Sequence, residues 1–390
     1  MEINKIFSII IFLLFLIQGG LFSSECNYYV VYKVDKKEVI FKYESGEKIY
    51  RKRYGYINKD GKIVIPFKYE YAKDFFEGLG VVMLDGKWGY IDCNENFVIK
   101  PKYDDALEFS EERAAVKIKE NWYIIDKQGR LIKNKSFGLG YNSYYKEGMM
   151  KVSNEDPEHL SKYGYIDREG DLVIPFVYGI SSRDFSEGLA LVEKDGKYEF
   201  INKKGETIIS EVKILNDKRR DTYIEINDCK SFSEGYAAVK INDKWGFINR
   251  KGELVIKPQY EDVKRFSEGI AGIRIKDEWG FINKRGKIVI KPDFDMVYSF
   301  KDGSVIVEKY VDICMIINKK GEYLSKFGFV CGGNVFFKNN VYKIYHIKNV
   351  SDINSADWLY LTTKGKIIWK GEGIIVLKEN ELKEFGKFEN

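Results

Sequence analysis

A Trp-Gly or Tyr-Gly pair recurs along this chain at a nearly fixed interval, and that interval constrains the fold more than any other feature. Three of the spacings between successive copies are 34 residues and two are 35 residues. A fixed period of this length is typical of proteins that stack one small structural unit many times. The copies, some of which have lost the Trp or the Gly, begin at Tyr54, Trp88, Trp122, Tyr163, Tyr198, Trp245 and Trp279, with weaker copies at Cys314 and Trp358.

Each repeat contains three short apolar runs separated by turn signals. The first run, WGFIN or a variant, alternates aromatic and β-branched residues as a half-buried strand requires. It ends in Asn or Asp with Gly three residues later, as in NRKG at 249–252, which is typical of a hairpin loop. A second run reads IVIKP, and a third, rich in small residues, follows FSEG. We therefore predict an all-β protein of tandem three-stranded antiparallel units, one per period.

Five of the six prolines occupy one position, at the end of the second run. Because proline cannot donate a hydrogen bond to a neighbouring strand, this position predicts that each second strand ends there, after about four residues. The units can close into a propeller-like ring or coil as an open β-solenoid. We favour the ring, because residues 28–43 can serve as lead-in strands that pair with the last repeat.

The aromatic side chain that recurs in the Trp-Gly or Tyr-Gly pair has two interpretations. If it is buried, it fills the space between neighbouring sheets, because one unit cannot bury both of its faces, and Trp245→Ala would cost about 3 to 5 kcal/mol. If it lines an exposed groove, it can stack on sugar rings. Alternation with Gly and Ile on one short strand favours burial. The glycine after the ring predicts that an adjoining backbone or ring leaves no space for a Cβ, and it is present as Gly55, Gly89, Gly164, Gly246 and Gly280.

The pattern K-W-G-[FY]-I-[ND]-x-x-G-x-[IL]-V-I-x-P, followed by F-S-E-G-x-A-x-V, resembles the WG-repeat family, also called KWG repeats. The resemblance covers residues 54–321 and continues in degenerate form to 390. It is strongest in the copies at Trp88, Trp245 and Trp279, whereas the copies at Trp122, Tyr198 and Cys314 lack the Trp or the Gly. It implies a bacterial protein, exported or multidomain, and supplies no catalytic residues.

The first 24 residues predict a secretory signal peptide. Lys5 precedes an apolar run, Ile6 to Ile17, that is too short to span a bilayer comfortably, and small residues follow it. A retained anchor is one alternative. A lipoprotein acylated at Cys26 is another, although Glu25 stands where a small residue is expected. The predicted organisation is a signal peptide (1–24), lead-in strands (25–53), the repeat array (54–321) and degenerate repeats (322–390).

No catalytic, cofactor-binding or metal-binding site is predicted. His159 and His346 are the only histidines and lie in distant repeats. The recurring Asp and Glu of DREG and FSEG can pair as glycosidase carboxylates do, but their turn positions already explain them. The Asx-x-x-Gly turns lack the alternating ligands of a calcium loop, and no nucleotide-binding glycine motif is present. Near balance of 64 basic and 59 acidic residues indicates no basic stripe and no nucleic-acid partner.

The sequence therefore predicts a non-enzymatic interaction scaffold in the periplasm, at the cell envelope or outside the cell. Three long spacings place extra residues at 134–160, 210–230 and 322–355, which we expect to form loops outside the hairpin core that meet a protein partner. The alternatives are an envelope-glycan binder that uses exposed Trp and Tyr, and, least supported, a hydrolase. Membrane contact is expected only through an N-terminal anchor.

Four cysteines beyond Cys26 lack CxxC spacing: Cys93, Cys229, Cys314 and Cys331. We therefore expect either that one or two disulfides form or that the thiols stay buried.

Overall fold

The computed structural model describes residues 26, 28–42, 48–133, 135–139, 143–154, 161–214, 222–226, 228–309, 313–325, 327–330, 335–338, 341–346, 357–370 and 376–378. Among these residues the regular secondary structure consists of β-strands alone, with no helix. The strands form nine small sheets and one separate hairpin. The chain divides into two compact units, Met1–Ser136 and Phe137–Asn390.

The first unit contains three sheets. Sheet 1 holds β1 (Tyr29–Lys42), β2 (Lys48–Ile57) and β3 (Ile63–Tyr69); sheet 2 holds β4 (Tyr71–Ala72), β5 (Gly80–Leu84), β6 (Lys87–Ile91) and β7 (Phe97–Tyr103); sheet 3 holds β8 (Asp105–Ala106), β9 (Ala114–Ile118) and β10 (Asn121–Ile125). The lead-in strand β1 pairs antiparallel with β2 along sheet 1. The prediction that residues 28–43 pair with the last repeat is therefore wrong, because a nearer partner in sequence is available.

The second unit contains six sheets and the hairpin. Sheet 4 holds β11 (Met150–Ser153), β12 (Tyr163–Ile166) and β13 (Leu172–Tyr178); sheet 5 holds β14 (Phe185–Ser186), β15 (Leu189–Lys194), β16 (Lys197–Ile201) and β17 (Thr207–Ile209). The hairpin is β18 (Glu211–Ile214) with β19 (Thr222–Glu225). Sheet 6 holds β20 (Asp228–Cys229), β21 (Tyr236–Ile241), β22 (Lys244–Asn249) and β23 (Leu254–Tyr260).

The last three sheets belong to the same unit. Sheet 7 holds β24 (Asp262–Val263), β25 (Ile270–Ile275), β26 (Glu278–Asn283) and β27 (Ile288–Phe294). Sheet 8 holds β28 (Met296–Val297), β29 (Ser304–Glu308), β30 (Ile313–Asn318), β31 (Phe327–Val330) and, at its edge, β36 (Val376–Lys378). Sheet 9 holds β32 (Val335–Lys338), β33 (Val341–His346), β34 (Asp357–Thr362) and β35 (Ile367–Lys370).

The Trp-Gly strand lies inside its sheet, with a partner on each side. In sheet 6, β22 pairs with β21 and with β23. The strand after FSEG therefore joins the next Trp-Gly strand, and sheets 2, 3, 6, 7 and 8 each begin with a two-residue strand before FSEG or its variant. A two-residue strand such as β20 adds a fourth member that the sequence did not reveal, because two residues carry no periodic pattern.

The second run of each repeat continues through its proline, so the prediction that the strand ends there is wrong. In sheet 6, Trp245 faces Tyr260 and Phe247 faces Ile256. A step of two residues along β22 is thus matched by a step of four along β23, which makes a β-bulge. Pro258 lies in the bulge, where no ladder hydrogen bond from its nitrogen is needed.

The Asx-x-x-Gly turns have the predicted geometry. The Asn249 side-chain oxygen accepts hydrogen bonds from the amides of Lys251 (2.9 Å) and Glu253 (3.1 Å), and Gly252 has φ 75°. The left-handed backbone at this position favours glycine. Glu95 occupies it in sheet 2 with φ 65°, and its carboxylate accepts a hydrogen bond from the Tyr69 hydroxyl at 3.1 Å.

The hydrophobic core lies between adjacent sheets. One cluster joins Trp88 and Tyr90 of sheet 2 to Phe109 before β9, and similar clusters recur along the second unit. Two of the predicted external inserts contribute to this core: Val212 of β18 is buried between sheets 5 and 6, and Tyr342 of β33 between sheets 8 and 9. The prediction that all inserts lie outside the core is wrong, because these segments form strands with apolar inner faces.

Candidate functional site

The rings of the repeat signature do not form an exposed column. Four of them are buried, with exposed fractions of 9% for Tyr54, 8% for Trp88, 6% for Trp245 and 3% for Trp279. The other three rings, Trp122, Tyr163 and Tyr198, are half-buried. The buried rings offer no open face on which a sugar can stack, so this arrangement does not favour the glycan interpretation.

Each glycine of the signature faces the backbone of the bulged neighbouring strand. A Cβ on Gly246 would lie 2.5 Å from the Ile256 carbonyl oxygen, and one on Gly89 would lie 2.6 Å from that of Ile99. The same close approach is found at Gly55, Gly164 and Gly280. The glycine and the proline of one repeat therefore belong to one feature: the bulge that carries the proline leaves no space for a side chain opposite.

The most deeply buried rings are a second aromatic set that the sequence analysis did not single out. For six of the seven signature rings, all except Trp122, the residue two positions later is an aromatic residue that packs on the one that opens FSEG in the next sheet. Phe247 and Phe266 have ring centroids 4.9 Å apart, and the other such pairs are Tyr56–Phe75, Tyr90–Phe109, Tyr165–Phe185, Phe200–Phe232 and Phe281–Phe300. Tyrosines at this position also bond to the next sheet, as the Tyr90 hydroxyl donates to the Leu107 carbonyl at 2.8 Å. Burial raises the pKa of Tyr90 well above its ordinary value.

A recurring lysine covers the signature ring. The Lys230 ammonium lies 4.7 Å from the centre of the Trp245 ring and also donates to the Val263 carbonyl of sheet 7 at 2.5 Å. Lys264 lies 4.8 Å from the Trp279 ring, and burial lowers the pKa of its ammonium. The polar groups around the rings are thus used to join sheets.

The FSEG glutamates bond to the next FSEG turn along the chain. The Glu77 carboxylate accepts from the amides of Glu111 (2.5 Å) and Glu112 (2.9 Å), and that of Glu147 accepts from Glu187 (2.6 Å) and Gly188 (2.7 Å). Three further links follow this pattern, from Glu187 to Gly235, from Glu234 to Gly269 and from Glu268 to Gly303. The suggested pairing of these carboxylates as in a glycosidase is replaced by bonds to backbone amides.

A lysine of the following Asx-x-x-Gly turn often completes the link. The Lys319 ammonium lies 3.1 Å from the Glu268 carboxylate, and Lys284 lies 3.2 Å from that of Glu234. Burial alone would raise the pKa of the Glu268 carboxyl, but the Gly303 amide and the Lys319 ammonium outweigh it and hold that pKa below its usual range. We call these carboxylate contacts the inter-sheet links.

A cluster of ionisable groups surrounds Asp184 in the second unit. Burial raises the pKa of the Asp184 carboxyl, and the positive charges of Lys146, Lys151 and Arg183 oppose this effect. Lys151 donates to the Ser182 carbonyl at 2.7 Å, and its ammonium lies 5.0 Å from the centre of the Tyr163 ring. The cluster joins sheets 4 and 5, because Lys151 belongs to β11 and Asp184 directly precedes β14.

The described part of the chain contains no group of three or more His, Cys, Asp or Glu side chains placed to hold a metal ion. His159 lies outside the described residues, and for His346 the structure describes only the backbone, at the end of β33. No helix long and apolar enough to span a membrane occurs in the residues described, and the predicted signal peptide at 1–24 lies outside them.

Two cysteines near the N-terminus form a disulfide. Cys26 is bonded to Cys93, with 5.7 Å between the Cα atoms, and joins the start of the described chain to the turn after β6. Cys314 is also disulfide-bonded, whereas Cys229 is a buried free thiol. Burial raises the pKa of the Cys229 thiol well above its usual value.

Small antiparallel sheets repeated in sequence, with a core between adjacent sheets of each unit, define an all-β repeat protein of the β-propeller class. The chain belongs to the WG-repeat family: the family described as WG containing repeat matches residues 54–88, 88–122, 163–198, 223–245, 245–279 and 279–310. The gaps between these matches contain the degenerate copy at Trp122 and the hairpin strand β18.

Comparison with solved structures supports the same fold. The crystal structure of a eukaryotic initiation factor aligns with a TM-score of 0.57 and 11% identity, covering 92% of this chain and 99% of that one. At this identity the likeness concerns the fold alone. BamB from Moraxella catarrhalis aligns with a TM-score of 0.38 and 10% identity, covering 90% of this chain and 97% of its own, which is a weaker similarity. No protein of curated function matches the sequence.

Proposed function

We propose that this protein is a non-enzymatic scaffold that acts outside the cytoplasm and presents surface inserts to a protein partner. The observation that carries this proposal is that the side chains repeated from unit to unit are used for packing and for bonds between sheets. The signature rings are buried or half-buried, and the FSEG carboxylates bind backbone amides. Recognition then falls to the segments that do not repeat.

The hairpin of β18 and β19 is the insert best placed to meet a partner. Val212 anchors it in the core, and the Lys213 amide donates to the Gly252 carbonyl beside β23 at 2.7 Å. Its other strand presents Tyr223, whose side chain is 58% exposed. A hairpin that is anchored in the core and carries an exposed aromatic side chain is suited to binding, because an aromatic side chain supplies a large contact area at a low cost in conformational entropy.

The disulfides support a location outside the cytoplasm. Disulfides persist in oxidising compartments and are rare in the cytosol. A Cys26 that is bonded to Cys93 has no free thiol for acylation, so this disulfide favours release from a signal peptide over a lipoprotein anchor. Mass spectrometry of the mature protein should find an N-terminus near Glu25 with Cys26 and Cys93 still joined. A lipid adduct on Cys26, or an intact Met1, would contradict this route.

The partner site is tested with a photo-crosslinking amino acid at position 223 in cells that express the full chain. The same residue at position 71 is the matched control, because Tyr71 is a tyrosine with 46% exposure in sheet 2, far along the sequence from the hairpin. We expect a discrete adduct from position 223 and none from 71. Equal labelling at the two positions, or no adduct from position 223, would contradict the assignment.

A further inference from the structure

The third residue of each Asx-x-x-Gly turn contributes its backbone amide to the fold. Its side chain has no such recurring role, although that of Gln128 accepts a hydrogen bond from Arg130 at 3.2 Å. Its amide donates to the Asx side-chain oxygen: Lys204 to Asn202 at 2.9 Å, Lys251 to Asn249 at 2.9 Å, Arg285 to Asn283 at 3.0 Å and Lys320 to Asn318 at 2.9 Å. Asp60, Asn94, Gln128 and Glu169 make the same amide bond in earlier turns. The turn therefore accepts either charge at this position.

The charge at this position changes along the chain although the turn does not. Sheets 1 to 4 have an acidic or neutral residue there, and sheets 5 to 8 have the cations Lys204, Lys251, Arg285 and Lys320. The turn of sheet 9 begins with Thr362 instead of an Asx residue and has Lys364 at the equivalent position. All five are exposed, and none forms an ion pair with another described residue. We call them the cation row. The near balance of charge over the whole sequence conceals the row, because it is visible only when the turns are aligned.

The inter-sheet links place the cation row along one end of the second unit. Lys203 lies 3.8 Å from the Glu147 carboxylate, and Lys284 and Lys319 pair with Glu234 and Glu268; each of these lysines directly precedes a member of the row. In sheet 9 the Thr363 hydroxyl donates to Asp302 at 3.0 Å, next to Lys364. In sheet 6, a Cβ on Gly188 would lie 3.8 Å from the Arg250 guanidinium, next to Lys251.

Acidic residues near the row are engaged within their own turns. Glu206, Glu253 and Glu322, two positions after the row residue, accept hydrogen bonds from the side-chain amides of Asn202, Asn249 and Asn318 at 2.6 to 2.7 Å. In sheets 7 and 9 the same position is Lys287 and Lys366, which add positive charge. The turns of sheets 7 and 9 are therefore the most strongly cationic, whereas a glutamate occupies this position in sheets 5, 6 and 8.

We propose that the cation row is a binding surface for a linear polyanion, a polymer that carries a carboxylate or phosphate on each unit. One cation per sheet at equivalent positions matches a partner whose charges also repeat, whereas a folded acidic protein would need complementary shape as well. Long lysine and arginine side chains on turns adapt to a flexible polymer, and charge pairing of this kind depends strongly on salt. The row borders the hairpin of the proposed function at one point, where the Lys213 amide donates to the Gly252 carbonyl next to Lys251. The two surfaces use different side chains, and polymer binding and crosslinking at position 223 are separate measurements, so either proposal can fail alone.

The test measures binding of the full chain to polyphosphate and to polygalacturonate by fluorescence anisotropy at several salt concentrations. The row variant carries Lys251→Gln, Arg285→Gln and Lys320→Gln, with glutamine chosen because Gln128 already occupies this turn position. The matched control carries Lys194→Gln, Lys257→Gln and Lys291→Gln, which removes the same charge from exposed strand positions of the same unit. Thermal unfolding of each variant checks that the fold is kept.

We expect the row variant to bind about tenfold or more weakly at low salt, and its slope of log affinity against log salt to fall by about 0.7 to 0.9 per lost contact. The control should fall much less, and Glu169→Lys, which extends the row by one sheet, should bind more tightly. A preference for one polymer identifies carboxylate or phosphate as the ligand group. Failure of both polymers to bind, or equal weakening in the row variant and the control, would overturn the proposal.

Discussion

At the scale of single residues, the Trp-Gly pair is explained by its neighbours on both sides. The sequence predicted a buried ring and a glycine pressed against another group, and the structure identifies that group as the bulged backbone that carries the proline. The bulge could not be predicted, because it depends on the register between two strands, which no single run of residues encodes. The aromatic residue two positions after the signature ring was not predicted to have a special role, because in the sequence it looks like any other alternating strand residue.

Replacement of Gly246 by alanine tests the close approach. The new Cβ would lie 2.5 Å from the Ile256 carbonyl oxygen, so β23 must shift, and we expect a loss of about 3 kcal/mol in the free energy of unfolding in urea. Gly196→Asn is the control, because Gly196 has φ 80° with nothing near its Cβ position and Asn tolerates this conformation. The control should lose less than about 1 kcal/mol. Equal losses would mean that the bulge does not exclude a side chain.

At the scale of elements, the inter-sheet links give FSEG a role beyond its turn. The turn itself was predictable from its residues, but the partner of each glutamate lies about one repeat away in sequence, at the next turn. Such a contact becomes visible only when the sheets are placed side by side. The recurrence of the glutamate is therefore explained by junctions between successive sheets, and each of the five links found uses one glutamate.

The link at Glu268 predicts a dependence of stability on pH. The pKa of this carboxyl is held below its usual range, so its contribution is present above the ordinary pKa of a glutamate and is lost as the pH falls through the folded-state value. Glu268→Gln should therefore destabilise the protein at neutral pH, and its difference in stability from the wild type should shrink as the pH falls below the usual titration range of a glutamate. Urea unfolding across this range measures the effect. Glu278→Gln, at an exposed strand position, is the control, and the difference in stability between this variant and the wild type should not change with pH in this way.

At the scale of the whole molecule, the period of the sequence predicted the all-β repeat fold and its small antiparallel sheets. The chain order of the sheets follows the repeats, but the sheet boundaries do not, since sheets 2, 3, 6, 7 and 8 each begin before FSEG or its variant rather than at the Trp-Gly pair. The hairpin of β18 and β19 shows what the sequence could not predict. The repeat spacing revealed an insert at this place, but the anchoring of Val212 depends on apolar contacts with sheets 5 and 6, which the spacing does not encode.

The disulfide between Cys26 and Cys93, which are 67 residues apart in sequence, should stabilise the first unit by restricting its unfolded chain. Removing it with Cys26→Ser and Cys93→Ser together should lower the free energy of unfolding by about 4 kcal/mol. Urea unfolding without reductant measures the change. Once the wild type is reduced, its free energy of unfolding should match that of the double variant, except for the further loss that comes from breaking the disulfide at Cys314. Unchanged unfolding of the oxidised variant would contradict a stabilising role.

Aromatic side chains pack from one sheet to the next along the repeats, and a double-mutant cycle between Phe247 and Phe266 measures how much this packing stabilises the fold. Phe247 belongs to sheet 6 and Phe266 precedes β25 of sheet 7, with ring centroids 4.9 Å apart. The cycle uses Phe247→Leu, Phe266→Leu and the double variant, with unfolding free energies from urea titration. We predict a coupling energy of about 0.5 to 1.5 kcal/mol. Effects that add to within about 0.3 kcal/mol would show that the two rings do not interact across the sheets.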